Sequence, residues 1–144
     1  MLLDFDSVKA DSCGAQKNMS LYGELFNKSG KAMAIENCHQ GHAAKGGDYN
    51  GQDSGNPDQM YPGWCPYTSF RTSGDILNVW DRVMSNLMTV VPFLGNATSP
   101  PLSRRGCWAY ADMLEVGRMV EHSVAESRSH FSAWAMVMRN PVSF

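Results

Sequence analysis

The chain has 144 residues, of which 43% are hydrophobic and 18% are charged, and its formal net charge is −2. This length suffices for one domain with a core, and the apolar content excludes a disordered protein, which combines low hydrophobicity with high net charge. Because nucleic-acid binding depends on a basic surface, the near-neutral charge argues against that function.

The first part of the chain alternates between strand and helix patterns. Residues 5–11 alternate at period two, which predicts a strand that ends at Asp11. Apolar residues at helical spacing over 21–26 predict a helix that stops at Gly30. The short apolar run 32–35 is typical of a buried parallel strand.

The middle of the chain begins with a long segment that shows no periodicity. Residues 38–66 are rich in Gly, Pro, Asn and Asp, so we expect a loop there, and a loop of such length usually has a function or forms a lid. Residues 67–73 predict the third strand, and an apolar stripe from Ile76 to Val91 predicts the next helix. Residues 107–110 predict a fourth strand.

The last helix carries the clearest start signal. Ser123 and Glu126 fit a capping box, in which each side chain satisfies the other residue's free backbone amide. His130 is expected to be a packed and hydrogen-bonded histidine of this helix. The inner face is predicted to consist of Val124, Phe131, Trp134, Ala135 and Met138.

Strands that alternate with helices predict an α/β protein with a parallel sheet and right-handed crossovers. Asp11, Asp75 and Asp112 each follow a predicted strand, and the chemistry of such folds lies at the carboxyl ends of the strands. Two facing carboxylates with aromatic residues nearby suit glycoside hydrolysis. Each aspartate taken alone is more commonly a helix cap.

Four segments, in the correct order, resemble motifs of the α-galactosidase (melibiase) family of glycoside hydrolases. Residues 8–13, V-K-A-D-S-C, are similar to its K-x-D-x-C motif, and residues 70–76, F-R-T-S-G-D-I, are similar to its R-T-[ST]-G-D-I motif. Residues 106–117, G-C-W-A-Y-A-D-M-L-E-V-G, resemble G-x-W-N-D-P-D-M-L-E-V-G. Residues 130–134, H-F-S-A-W, resemble the family's H-F-x-x-W.

The resemblance implies that residues 1–144 form a partial catalytic domain, with about strands four to seven of a (β/α)8 TIM barrel and a stub of strand eight. It implies a retaining hydrolase that works by double displacement, with Asp11 as nucleophile and Asp75 as general acid/base. Strands one to three of the family, which help to hold the sugar, have no counterpart in the sequence. Open sheet edges would then favour self-association or complementation by another segment.

The resemblance also assigns substrate-binding residues. An ordinary ion pair within the barrel is the alternative for Lys9, a salt bridge to a strand-end acid is the alternative for Arg71, and a solvated loop position is the alternative for His39. The substrate-binding set is Lys9, His39, Arg71, Asp112 and Met113.

The cysteines are interpreted through the same resemblance. Cys38 matches a cysteine that opens the loop after the family's fifth strand, which implies a disulfide between Cys38 and Cys65, with two free thiols as the alternative. The partners of Cys13 and Cys107 stay open, and both residues could be free thiols. The resemblance implies neither a metal nor an organic cofactor.

One segment departs from the family pattern. Where most members have N-D-P-D, this chain has A-Y-A-D at 109–112, and with E-N-C-H-Q-G at 36–41 it resembles the plant and algal branch related to β-L-arabinopyranosidases. An α-galactoside and a β-L-arabinopyranoside both stay open as substrates. The altered segment also leaves open a non-catalytic remnant that binds carbohydrate or serves as a scaffold.

The cellular location rests on the resemblance, which implies a secreted, vacuolar or lysosomal protein. Asn18, Asn27 and Asn96 begin glycosylation sequons, whereas the residues after Met1 show no signal peptide. The longest apolar run, 88–94, is interrupted by polar and proline residues, so we expect no membrane span.

Overall fold

The structure is a computed structural model that describes residues 5–11, 19–38, 65–98, 100–118 and 123–137. Within these ranges the chain forms four strands, three α-helices and one short 3-10 helix. In chain order they are β1 (Ser7–Ala10), α1 (Met19–Ser29), β2 (Ala34–Asn37), β3 (Ser69–Arg71), α2 (Trp80–Met88), the 3-10 helix Val91–Phe93, β4 (Trp108–Tyr110) and α3 (Val124–Val137).

The four strands form one parallel sheet in the order β1-β2-β3-β4. The register places Lys9 beside Glu36, and Arg71 beside Tyr110. Neighbouring strands follow the order of the chain without reversal, as in a barrel of β/α units, whereas a doubly wound sheet reverses direction at a switch point. The prediction of an α/β protein with a parallel sheet is confirmed.

The register separates the sheet into two chemically different faces. Successive side chains of a strand point to opposite faces, and paired residues of parallel strands point to the same one. Ile35, Phe70 and Ala109 therefore lie on one face, and all three are buried in the core. The other face carries two rows of paired residues. The first row, or lower level, is Lys9, Glu36, Ser69 and Trp108, and the next level, nearer the carboxyl ends, contains Arg71 and Tyr110.

The core lies on the apolar face and is built around aromatic rings. The ring of Phe70 packs edge-on against Tyr67, with a centroid distance of 5.6 Å, and against Phe93, with a centroid distance of 5.2 Å. Burial of a phenylalanine side chain of this kind stabilises a fold by roughly 1.5–3 kcal/mol. The core thus fixes β3, whose last residue is Arg71, in the middle of the sheet.

Two helix ends are determined by local signals that the sequence predicts. Gly30 follows α1 with a φ of 72°, a left-handed conformation that glycine adopts without steric cost. At the start of α3, the Glu126 amide donates to Ser123 Oγ at 3.0 Å, and the Ser123 amide donates to Glu126 Oε2 at 3.2 Å. The helix stop and the capping box are both confirmed.

The predicted inner face of α3 is wrong for most of its residues. Trp134 is buried, but Val124 is 67% exposed and Phe131 is 58% exposed. Ala135 is exposed as well, and Met138 lies outside the described residues. The indole Nε1 of Trp134 donates to the Asp112 carbonyl at 2.7 Å, which orients the helix about this one side chain.

His130 is fully buried on α3, one turn before Trp134, and its ring packs edge-on against the indole at a centroid distance of 4.2 Å. The prediction of a packed histidine is confirmed. The predicted hydrogen bond is not found, because neither ring nitrogen has a partner within the described part of the chain. Burial lowers the pKa of His130, since the charged imidazolium is poorly solvated there.

We expect the fold to lose stability below about pH 6.5 through His130. The folded state holds this imidazole neutral, whereas the unfolded chain takes up a proton, so the free energy of unfolding falls by up to about 1.4 kcal/mol per pH unit. Urea denaturation at pH 7.5 and pH 5.5 measures this loss. His130→Phe should remove it, and Ser132→Ala, on the exposed side of α3, should retain it; an unchanged pH dependence in His130→Phe would contradict the assignment.

Several large apolar side chains are exposed at the end of α2 and in the stretches that follow α2 and β4. They are Met88, Val91, Leu94, Met113, Leu114 and Val116. None of the helices in the described part combines the length and hydropathy needed to cross a membrane. Self-association through such surfaces stays a prediction.

Candidate active site at the carboxyl ends of the strands

Arg71 ends β3 and connects two of the predicted acidic residues. Its Nη1 lies 2.8 Å from Asp75 Oδ1 and 3.4 Å from Asp112 Oδ2. The side chains of Arg71 and Asp112 are 7% and 6% exposed, whereas that of Asp75 is 84% exposed. One buried cation therefore holds a buried carboxylate on one side and a solvent-facing carboxylate on the other.

Asp112 is fixed by contacts that reach three parts of the chain. Its Oδ2 accepts from the Ile76 amide at 2.7 Å, and its Oδ1 accepts from the Met113 amide at 2.9 Å. Its carbonyl accepts from the indole of Trp134 on α3. The backbone of Asp112 is left-handed, with a φ of 81°, a conformation that Asn and Asp adopt more readily than other non-glycine residues.

Asp11 and Cys38 follow the neighbouring strands β1 and β2 and hydrogen-bond to each other through their side chains. Burial raises the pKa of the Cys38 thiol to about 11, against the opposing effects of the Arg71 and Lys9 cations. The thiol is therefore protonated at neutral pH and donates its S–H to the Asp11 carboxylate. This contact links the ends of β1 and β2, and the Arg71 cation acts electrostatically on the same thiol.

A second polar cluster lies on the same face of the sheet, one level below Asp11 and Cys38 and therefore farther from the carboxyl ends of the strands. Lys9 Nζ is 3.3 Å from Glu36 Oε1, and the Tyr110 hydroxyl donates to the same oxygen. Burial would lower the pKa of Lys9, but Cys38 and Glu36 outweigh it and raise that pKa. Burial and the hydrogen bond to Glu36 raise the pKa of Tyr110. At neutral pH Lys9 is thus a cation and Tyr110 is a neutral donor.

The loop that carries Asp75 is attached to the loop that carries Asp112. The Asn86 side chain, on α2, donates to the Gly74 carbonyl at 3.0 Å and to the Ala111 carbonyl at 3.5 Å. Asn86 is buried despite its polar amide, because both contacts satisfy its donors. It is therefore a structural residue of the site.

The structure places most of the predicted site residues together. Lys9, Asp11, Arg71, Asp75 and Asp112 all lie at or near the carboxyl ends of the strands, while Met113 follows them with its side chain 61% exposed. His39 lies outside the described residues. The sequence interpretation missed Glu36, although its position two residues before Cys38 on a strand was a usable signal.

The predicted Cys38–Cys65 disulfide is wrong. The structure pairs Cys65 with Cys107, at a Cα–Cα distance of 6.0 Å, and leaves Cys38 as a buried free thiol. Cys65 precedes β3 and Cys107 precedes β4, so both lie at the amino ends of adjacent parallel strands. Cys38 follows β2 at the opposite edge of the sheet, which puts it out of reach of Cys65. Cys13 lies outside the described residues.

The described residues contain no group of three or more His, Cys, Asp or Glu side chains that could hold a metal ion. The cations that face the carboxylates here belong to the protein itself, Lys9 and Arg71. The described part of the site sets carboxylates beside these cations and beside the Tyr110 hydroxyl.

Three curated proteins are similar to this chain. A protein named probable alpha-galactosidase B, from Aspergillus clavatus, is 37% identical over 76 residues, which is 51% of this chain and 15% of that protein. The probable alpha-galactosidase of Dictyostelium discoideum is 29% identical over 137 residues, 92% of this chain and 30% of that protein. Probable alpha-galactosidase D of Aspergillus terreus is 35% identical over 81 residues, 55% of this chain and 11% of that protein.

These matches confirm the resemblance to α-galactosidases that the four motifs indicate. No protein-family model matches the chain. The aligned region spans less than a third of each of these relatives. The similarity therefore concerns one part of the fold of those proteins.

Proposed function

We propose that this chain supplies the catalytic part of a retaining glycoside hydrolase of the α-galactosidase type. Its substrates would be terminal α-galactosyl or β-L-arabinopyranosyl residues, and residues 1–144 would form a portion of the (β/α)8 barrel, about strands four to seven. The observation that carries the proposal is that both candidate catalytic carboxylates are held at the carboxyl ends of the strands. Asp11 is hydrogen-bonded to Cys38, and Asp75 is ion-paired with Arg71. A secreted, vacuolar or lysosomal location, which the resemblance implies, is part of the same proposal.

The proposed reaction has two steps. A carboxylate oxygen of Asp11 attacks the anomeric carbon as the bond from that carbon to the leaving oxygen breaks, and Asp75 gives its proton to that oxygen. A water molecule then attacks the same carbon, Asp75 takes its proton, and the Asp11 ester bond breaks. The product sugar keeps its anomeric configuration, and both carboxyl groups return to their starting states.

The remaining residues of the set would hold the sugar. Lys9 carries a cation one level below Asp11 and would donate to sugar hydroxyls. Arg71, which Asp112 fixes from one side, would position Asp75 at the solvent-facing rim. Met113 and His39 are the remaining proposed contacts to the sugar.

We expect Asp11→Asn and Asp75→Asn each to lower the rate of glycoside hydrolysis by more than about a thousandfold. This corresponds to a rise of roughly 4 kcal/mol in the activation free energy. The substrates are 4-nitrophenyl α-galactoside and 4-nitrophenyl β-L-arabinopyranoside, with release of nitrophenol as the measurement. Asp81→Asn is the matched control, because Asp81 is an exposed carboxylate on α2. Turnover that survives both site substitutions would overturn the proposal.

A second candidate is a non-catalytic protein that binds carbohydrate. It is favoured by the state of Asp75, which is largely exposed and already paired with Arg71. This candidate predicts saccharide binding with no release of nitrophenol from either substrate. The same set of variants separates it from the hydrolase.

A further inference from the structure

Glu36 occupies an unusual position in the middle of the polar face. It lies on β2 in register with Lys9 of β1, one level below the Asp11–Cys38 pair. Both of its side-chain contacts use one oxygen, Oε1, which is shared by the Lys9 ammonium and the Tyr110 hydroxyl. Within the described residues, the other oxygen, Oε2, is left for an outside donor.

Stability alone does not account for this carboxylate. The Glu36 side chain is 34% exposed and that of Lys9 is 39% exposed, and ion pairs with this much solvent contact stabilise proteins by less than about 1 kcal/mol. The core lies on the opposite face of the sheet, so Glu36 does not fill space there. What the contacts do is hold a charged acceptor in one orientation below Asp11.

We propose that Glu36 is a substrate-binding residue whose Oε2 accepts a hydrogen bond from one hydroxyl of the bound sugar. The inference rests on the proposed function, since it takes the sugar to lie on the polar face with its anomeric carbon at Asp11. A carboxylate forms a charge-assisted hydrogen bond with a hydroxyl, and such bonds are about twice as strong as neutral ones. Lys9 and Tyr110 are the positioning residues that fix the acceptor.

This arrangement makes Glu36 a determinant of specificity. An analogue that lacks this hydroxyl would lose one charge-assisted hydrogen bond, and should therefore bind more weakly than the parent sugar. Tyr110 belongs to the segment that departs from the usual family pattern. The residue that differs from the pattern is therefore the one that hydrogen-bonds to Glu36 Oε1. Glu36 and Tyr110 together would distinguish pyranosides that differ in the hydroxyl group at a single carbon.

The test measures binding by saturation-transfer NMR titration with methyl α-galactoside and its singly deoxygenated analogues. We expect the wild-type chain to bind one of these analogues about tenfold more weakly than the parent sugar. Glu36→Gln should lower the affinity for the parent sugar about tenfold. It should bind the one discriminated analogue with the same affinity as the wild type. Tyr110→Phe should reduce the same discrimination, and Glu24→Gln, an exposed carboxylate on α1, should leave every affinity unchanged.

The outcomes separate this inference from the proposed function. Equal weakening of all the sugars by Glu36→Gln would mark a merely structural role and overturn the inference, even if the wild type hydrolyses nitrophenyl glycosides. If the affinities follow the expected pattern but no nitrophenyl glycoside is hydrolysed, the result would support the inference and contradict the proposed hydrolase function. Failure of the wild type to bind any of these sugars would overturn the inference.

Discussion

Arg71→Met is expected to lower the free energy of unfolding by about 3–5 kcal/mol, the usual cost of removing one partner of a buried ion pair. The reason is the Asp112 carboxylate, which is 6% exposed and would lose its cation while staying buried. Loss of the contact with the exposed Asp75 should contribute little to this figure. Chemical denaturation at neutral pH, followed by tryptophan fluorescence, measures the change.

A double-mutant cycle tests the physical cause. Asp112→Asn keeps a side-chain oxygen for one backbone amide and removes the negative charge. If the uncompensated charge is what destabilises the single variant, Arg71→Met should cost much less in the Asp112→Asn background than in the wild type. Equal costs in the two backgrounds would contradict the account and point to lost packing of the arginine stem.

Loss of the Cys65–Cys107 disulfide is expected to destabilise the fold by about 4 kcal/mol, the value that the chain-entropy model gives for a loop of this size. The two cysteines are 42 positions apart in the sequence. Opening the bridge restores conformational freedom to the unfolded chain, and it also releases the amino ends of β3 and β4 from each other.

The measurement compares denaturation midpoints of the wild type and of Cys107→Ser, each with and without a thiol reductant. Reduction should shift the wild-type midpoint down to that of Cys107→Ser and leave the variant unchanged. Cys38→Ser is the matched control, because Cys38 is a free thiol and its variant should respond to the reductant as the wild type does. A wild-type denaturation midpoint that does not change on addition of the reductant would contradict the Cys65–Cys107 pairing.

The parts of the fold that could be predicted from the sequence are those with local causes. Period-two alternation predicts β1, and the stop of α1 follows from a glycine whose backbone is left-handed. The capping box of α3 depends on two residues three positions apart. The placement of Asp11 and Arg71 at one edge follows from a general property of parallel sheets, whose carboxyl ends lie together.

The parts that could not be predicted depend on contacts between distant segments. The rotation of α3 is set by a hydrogen bond from Trp134 to Asp112, and apolar spacing along the helix carries no information about that bond. The disulfide depends on which edge of the sheet each cysteine occupies, a question of topology. Glu36 gains its role from Tyr110, which is 74 positions later in the chain.

Asp112 makes polar contacts with three separate parts of the fold. It contacts Arg71 of β3, the Ile76 amide before α2, and Trp134 of α3. A displacement of α3 would therefore reach the buried Arg71 guanidinium through the backbone and side chain of Asp112. A smaller side chain at position 134 would therefore disturb the Asp75 carboxyl group through Asp112 and Arg71, although none of these three residues is itself substituted.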